Sequence, residues 1–242
     1  MVSKNQIKLI TSLQQNKFRT AHQLFCAEGV KVIEELVHST FELVHIYQTE
    51  AIFENVSPEK TTLISESDLK KISSLTNQNN CLAVFKIPPP TPIVEKGLLI
   101  ALDDIRDPGN LGTIIRLADW FGITQIVCSG QTVDVYNPKV VQASMGSLAR
   151  VTINYVDLNY FIQKTKLPVY GTFMEGQTIY DEKLAHDGII VMGNEGKGIN
   201  PILEKYIKNR LTIPRFGELK ETESLNVATA TAIILSEFRR RS

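Results

Sequence analysis

The sequence predicts an α/β fold in two parts: a small N-terminal α/β domain, then a C-terminal domain built on a parallel sheet. Three observations predict it. A proline run, "KIPPPTPIVEKG" from Lys86 to Gly97, places Pro88, Pro89, Pro90 and Pro92 close together; such a run fits neither a helix nor a central strand and favours extended geometry. After it, continuous apolar runs recur, as strands covered on both faces require. Between those runs lie segments of helical period. The expected boundaries are 1–86 for the first domain, 87–96 for the linker and 97–242 for the second.

In chain order, the first twenty residues carry Lys4, Lys8, Lys17 and Arg19 and no acid, which reads as a solvated helix face or as a grip on a polyanion. "AEGVKVIEELVHS" (27–39) has helical period, while "FELVHIYQT" (41–49), "TTLISES" (61–67) and "CLAVFKI" (81–87) are short apolar or β-branched runs, so the first domain should hold about three or four strands. Beyond the linker the strand candidates are "GLLIALD", "TQIVCSG", "RVTINYV", "LPVYGTF", "GIIVMG" and "RLTIP". Helical candidates among them include "NLGTIIRLADWFG", "NPKVVQASMGSLA" and "NPILEKYIKN". Ligands of open parallel sheets bind beyond the C-terminal ends of strands. The polar clusters follow that rule: "DDIRDPGN" comes after the first of these strands, "GNEGKG" after the fifth and "PRFGELKETESLN" after the sixth.

Composition narrows the function. The chain has 242 residues and is 43% hydrophobic, enough for a sizeable core. No apolar run approaches the ~20 residues of a membrane span, and the N-terminus lacks a secretory pattern, so a cytoplasmic protein without a membrane partner is expected. The three cysteines, Cys26, Cys81 and Cys128, and the four histidines, His22, His38, His45 and His186, are scattered without ligand spacing, so no metal is expected. Net charge is zero, which argues against wholesale coating of nucleic acid but allows local contact through the basic ends, including Arg239, Arg240 and Arg241. Those last arginines also suit the C-terminus of a helix.

The glycine loop "VMGNEGKGI" tests the nucleotide readings. A P-loop needs glycine five residues before its Gly-Lys pair and Ser or Thr after it, but Val191 and Gly198 stand there. The dinucleotide fingerprint fails as well: Gly193, Gly196 and Gly198 have the wrong spacing, and Glu195 would repel a pyrophosphate. An ordinary nucleotide-dependent enzyme is therefore disfavoured. In "DPGNLGTIIRLADWFGI", Leu111, Ile114, Ile115, Ala118 and Phe121 mark one apolar helix face. Asn110 is placed to cap that helix, and Arg116 lies off the apolar face beside Gly112. The final "SLNVATATAIILSEFRRR" reads as a helix rich in small residues, with Ser224 as its cap.

Together, "DPGNLGTIIRLADWFGI", "IVMGNEGKGI" and "IPRFGELKETESLNVATATAII" resemble the three motifs of the SpoU/TrmH family of RNA 2′-O-ribose methyltransferases. The N-terminal "SKNQIKLITSLQQNKFRTAHQLFCAEGVKVIEEL" resembles that family's small α/β substrate-binding domain. The resemblance implies a trefoil-knot methyltransferase domain, S-adenosyl-L-methionine as cofactor, a homodimer in which each arginine reaches the cofactor of the other subunit, and RNA as substrate, ribosomal before transfer RNA. It assigns catalytic roles to Asn110, Arg116, Glu195, Ser224 and Asn226. Cofactor contacts fall on Thr172, Met192, Gly193, Asn194, Gly198, Ile213 and Leu225.

The chemistry suits those residues. The cofactor carries its own leaving group, so the protein need only align a hydroxyl and ease loss of its proton, without a metal. A guanidinium is a poor base, so Arg116 is expected to bind and polarise the 2′-oxygen or an adjacent phosphate. Glu195 would anchor its own loop or Arg116, while Asn110, Ser224 and Asn226 position these groups. A ribose 2′-hydroxyl target selects RNA over DNA. Two departures from the pattern are the longer acidic stretch Glu218 to Glu223, and Gln142, where relatives carry arginine. The other class of function open to the scaffold is a silent RNA-binding or assembly factor.

Overall fold

The computed structural model describes residues 2–75, 79–217 and 224–240, which form two compact units. The first comprises residues 1–90 and 134–149, the second 91–133 and 150–242. The acidic stretch 218–223 and Arg241 lie outside the described residues.

In the first unit, helices α1 (Lys4–Ser12) and α2 (Asn16–His22) precede strand β1 (Leu24–Glu28), helix α3 (Val30–Val37) and strand β2 (Leu43–Gln48). Strand β3 (Thr61–Leu63), helix α4 (Glu66–Ile72) and strand β4 (Cys81–Lys86) follow. The sheet order is β1-β4-β2-β3, with β4 antiparallel to both neighbours and β2 parallel to β3. Local chemistry sets the helix starts. Ser3 and Gln6 form a reciprocal capping box at α1, and Ser65 caps α4 by accepting from Asp68 N. The segment 27–39, expected to be helical throughout, begins instead in β1; Gly29, at φ 89°, breaks the strand before α3 begins. The strand expected through 61–67 is cut short, because the Ser65 cap ends the extended segment and opens a helix.

Residues 134–149 belong to this unit through contacts made far along the chain. Tyr136 packs its ring 4.7 Å from that of Phe25, which in turn meets Phe41 and Phe85. Arg19, only 2% exposed, donates through Nε to Asp134 Oδ2 at 2.8 Å and through Nη1 to Leu13 O at 2.8 Å. Arg19 is thus held inside the fold and is unavailable to a polyanion, unlike the exposed Lys4, Lys8 and Lys17. Breaking a buried ion pair from one side leaves the other charge uncompensated and costs about 3–5 kcal/mol. Because Asp134 keeps some solvent access, Arg19→Ala is expected to lower stability by about 3 kcal/mol in denaturant unfolding. Helix α6 (Pro138–Ser144) ends at Met145, φ 51°, before a short 3-10 turn at Ser147–Ala149, so the helix expected over 137–149 is broken near its middle.

The second unit is a six-stranded parallel sheet of order β10-β8-β9-β5-β6-β7. Its strands are β5 (Leu98–Leu102), β6 (Gln125–Ser129), β7 (Thr152–Val156), β8 (Val169–Thr178), β9 (Gly188–Met192) and β10 (Asn209–Thr212). The helices are α5 (Pro108–Trp120), α7 (Leu158–Lys164), α8 (Pro201–Glu204) and α9 (Val227–Arg240). Every residue of β5 and β9 is buried, as expected of central strands covered on both faces. Leu99, Ala101, Val127, Ile189 and Val191 pack with Leu158, Ile162, Leu203 and Ile207 of the α7 and α8 side. Side chains alternate along a strand, so Tyr170 faces the opposite way and meets Phe238 of α9 edge-on at 5.1 Å. Helix α9 packs on α5, and Arg239 donates to Phe121 O at 2.9 Å, placing a cation on the C-terminal carbonyls of α5.

The helix expected over 200–209 is a single turn. Asn200 caps it by accepting from Ile202 N, and Pro201 opens it, but the chain then leaves through i→i+3 bonds at Tyr206 and Ile207, which is buried. Strand β8 runs five residues beyond the expected "LPVYGTF", and its pairing with β10 jumps from Gly171 to Gln177. The intervening segment bulges out of the sheet and leaves Thr172, Phe173 and Met174 free to line a cleft.

Candidate active site

The bulged middle of β8, the C-terminal ends of β9 and β10 and the start of α9 border a cleft of about 1180 Å³. Thr172, Met192, Gly193, Asn194, Gly198, Ile213 and Leu225, the expected cofactor residues, all line it, together with Glu195 and Ser224. Its floor includes Leu211, Val227 and Ile234. Thr172 fastens the bulge to the neighbouring strand by donating through Oγ1 to Val191 O at 3.2 Å. Small-molecule sites commonly measure roughly 300–1,000 Å³ and are mostly apolar with a few placed polar groups. The cleft is somewhat larger than that, roomy enough for a molecule the size of S-adenosylmethionine, and its apolar floor and the Glu195 carboxylate would suit a ligand that is part apolar and part cationic.

The loop from Gly193 to Asn200 is folded by its own residues. Asn194 and Gly198 exchange backbone hydrogen bonds of 3.0 and 2.9 Å, while Asn194 Oδ1 accepts from Gly196 N and Lys197 N, both at 3.0 Å. Asn194 Nδ2 donates to Asp104 O at 2.7 Å, fixing this loop to the one after β5. The loop's closure also explains its glycines. A Cβ on Gly193 would lie 2.4 Å from Gly198 C and Ile199 N, and Gly198 has φ 69°. At Gly193 it is the loop's own opposite limb that comes too close for a side chain. Gly193→Ala must strain this turn by about 1–3 kcal/mol, equivalent to about a 5- to 150-fold loss of cofactor affinity by calorimetry if the loop deforms to relieve it.

The catalytic candidates meet through Asn110. Its Nδ2 donates to Glu195 Oε1 at 2.9 Å, and its Oδ1 accepts from Asn226 Nδ2 at 2.9 Å. One side chain thus joins all three motifs. Asn110 does not cap α5, contrary to expectation: Asp107 does, accepting from Asn110 N at 2.8 Å, with Pro108 at the first helical position. Nor does Ser224 cap α9. Asn226 precedes the helix, and its Oδ1 accepts from Ala228 N and Thr229 N at 2.9 and 3.2 Å. With the α5 cap three residues earlier than expected, Asn110 is free to bridge, and with the α9 cap two residues later, Asn226 is bifunctional.

Glu195 anchors Asn110 rather than Arg116. Arg116 is exposed on α5, among the described residues has no hydrogen-bond or ion-pair partner, and does not line the cleft of its own chain. Ser224 is exposed at the cleft wall. A second cavity of about 490 Å³ lies beyond the ends of β5, β6 and β7, sharing Asn194, Lys197 and Gly198 with the first. Its carboxylates are engaged in structure: Asp157 caps α7, Asp104 accepts from Arg106 Nε, and Asp103 accepts from Asn200 N.

Sequence reasoning passed over Asp103 and Asp104, which brace the glycine loop. Asp104 has φ 59°, a conformation Asp tolerates better than most residues. Among the described residues no group of three His, Cys, Asp or Glu is arranged to hold a metal ion, and no helix is long and apolar enough to cross a membrane. The three thiols are buried, and burial raises Cys26 to about 12 and Cys81 to about 11.

Comparison with known proteins gives a consistent set of relatives. The model of the SpoU rRNA Methylase family matches residues 97–236, and that of the MRM3-like substrate binding domain matches residues 4–83. The 23S rRNA (guanosine(2553)-2′-O)-methyltransferase RlmP of Bacillus subtilis is 28% identical, with 98% of this chain and 97% of that protein covered. A TrmH-family protein from Porphyromonas gingivalis has a solved structure that superposes with a TM-score of 0.92 at 42% identity, covering 100% of both chains. An AdoMet-bound rRNA methyltransferase from Sinorhizobium meliloti superposes at 0.88 with 27% identity, covering 100% of this chain and 97% of its own.

Proposed function

The chain belongs to the SpoU rRNA Methylase family, and from that premise we propose that it transfers the methyl group of S-adenosylmethionine to a ribose 2′-hydroxyl of RNA. Ribosomal RNA is the preferred substrate: two relatives that match over nearly the whole length, the region of the substrate-binding domain included, are named as rRNA methyltransferases. The observation that carries the reading is the Glu195–Asn110–Asn226 chain at the rim of the apolar cleft.

When bound, the cofactor supplies an activated methyl on a cationic sulfur that becomes a neutral leaving group. The residues of this chain do the rest. Thr172, Met192, Gly193, Asn194, Gly198, Ile213 and Leu225 form the cofactor's walls, and the apolar floor excludes water. Asn110, held from both sides, is oriented towards the site at which the hydroxyl is presented. Ser224 supplies a further hydroxyl there. Arg116 binds the 2′-oxygen or the adjacent phosphate and stabilises negative charge on that oxygen as its proton passes to solvent and the methyl group is taken up.

Arg116 acts in a homodimer on the cleft of the partner subunit. Its absence from its own chain's cleft supports this, as does Trp120, one turn further along α5 and 84% exposed. A large apolar side chain so exposed on the same helix suits a covered interface. The site of action is the cytoplasm, where ribosomal RNA is available.

The test is methyl transfer from labelled S-adenosylmethionine to ribosomal RNA, with the modified nucleotide mapped as a 2′-O-methyl. Label in ribosomal RNA is the expected result. RNA binding without cofactor binding or transfer would instead identify a silent assembly factor.

A further inference from the structure

The glycine loop carries Glu195 to Asn110, so whatever holds its ends sets the cleft. Both ends are held by one residue. Asp103 N donates to Met192 O at 2.9 Å where the loop leaves β9, and Asp103 Oδ2 accepts from Asn200 N at 2.7 Å where the loop enters α8. The neighbouring Asp104 O accepts from Asn194 Nδ2 near the loop's start. Asp103 is 7% exposed, a costly place for a carboxylate unless it is hydrogen-bonded. Burial pushes its carboxyl above the usual range, with the Asp104 charge adding to this and the Asn200 N–H opposing it. A bond to an ionised acceptor is stronger than a neutral one. The carboxylate therefore clamps the loop end more firmly than a neutral acceptor would.

We infer that Asp103 is a positioning residue of the transfer reaction, holding both ends of the 193–200 loop so that Glu195 meets Asn110 at the rim of the cleft. This rests on the reading of the cleft as the cofactor site. Removing the carboxylate frees Asn200 but leaves the Asp103 backbone bond to Met192 in place. The 194–198 turn, still closed on itself by Asn194, then pivots on its remaining bonds at Met192 and Asp104 O, carrying Glu195 off Asn110.

Two variants of the full-length protein test this. Asp103→Ala is expected to raise KM for S-adenosylmethionine and lower kcat by about tenfold each, the effect of a lost hydrogen bond to a charged group, with KM for RNA unchanged. Simple destabilisation would reduce the active fraction and leave KM alone. Asp103→Asn keeps an oxygen for Asn200 N–H, and its amide can face the neighbouring cavity that Asp103 lines. It should restore both constants to within about threefold of the wild type. In the unliganded protein, hydrogen exchange at the Asn200 amide should accelerate in the alanine variant and stay slow in the asparagine variant. Wild-type constants and exchange in Asp103→Ala would overturn the inference, as would an asparagine variant as impaired as the alanine one. Should the wild type transfer no methyl, the functional reading fails, and the exchange measurement still decides whether Asp103 holds the loop.

Discussion

Replacing Arg116 with alanine is expected to lower kcat for methyl transfer about 1,000-fold, the scale of losing one preorganised group that stabilises transition-state charge. Cofactor affinity should stay within about threefold of the wild type, because binding that is uniform through the reaction is left intact. The geometry supports the separation. Arg116 is exposed on α5, does not line the cleft of its own chain, and among the described residues pairs with nothing, so its loss disturbs neither cofactor walls nor fold. Arg116→Lys should recover little, since a point charge lacks the planar fork that holds an oxyanion or phosphate by two bonds. Mixed dimers test the trans arrangement. Combining Arg116→Ala chains with Gly193→Ala chains should restore transfer, because the intact arginine of one serves the intact cleft of the other. With S-adenosylmethionine held below what the Gly193→Ala cleft needs, a mixture no more active than its two impaired parents would place Arg116 in its own subunit's site.

Much of this site was legible in the sequence, and the misreadings have specific causes. Polar clusters after apolar strands marked the loops correctly, because a parallel sheet puts all its strand ends on one edge. The cap of α5 was read at Asn110 although Asp107-Pro108 is the stronger signal: proline is favoured at the first helical position, and the residue before it is kept out of helical geometry. At α9, Ser224 and Asn226 are both capping types, and an Ala- and Thr-rich start gives no periodicity to choose between them. Residues 134–149 join the first unit through Tyr136 on Phe25 and Asp134 on Arg19, pairs separated by more than a hundred positions that no local pattern reveals. The bulge that lends Thr172 to the cleft arises from an irregular pairing with β10, again beyond reach of strand alternation. Asp103 escaped notice for a different reason. It is one of three acids in "LDDIRD", and only burial distinguishes it.

Asn226 has two jobs, and separating them gives a large effect. Its Oδ1 caps α9 and its Nδ2 holds Asn110, so one side chain serves stability through its oxygen and catalysis through its nitrogen. Asn226→Asp separates them. A carboxylate keeps the acceptor that the α9 amides need and suits the positive end of the helix, so the melting temperature should hold or rise slightly. It cannot donate, however, and it sets a negative oxygen against Asn110 Oδ1, which itself accepts. Asn110 would then turn its amide to satisfy the new carboxylate and face Glu195 with its own oxygen, which the Glu195 carboxylate repels. With no orientation able to satisfy both neighbours, kcat should fall about 100-fold, as misplacing a catalytic group by about 1 Å does. Asn226→Ala should lose about 1 kcal/mol of stability as well, because the cap goes with the donor. Thermal melts alongside single-turnover rates give both quantities. If Asn226→Asp turned over at the wild-type rate, the Asn226–Asn110 bond would be a packing detail and the coupling of the three motifs through Asn110 would be wrong.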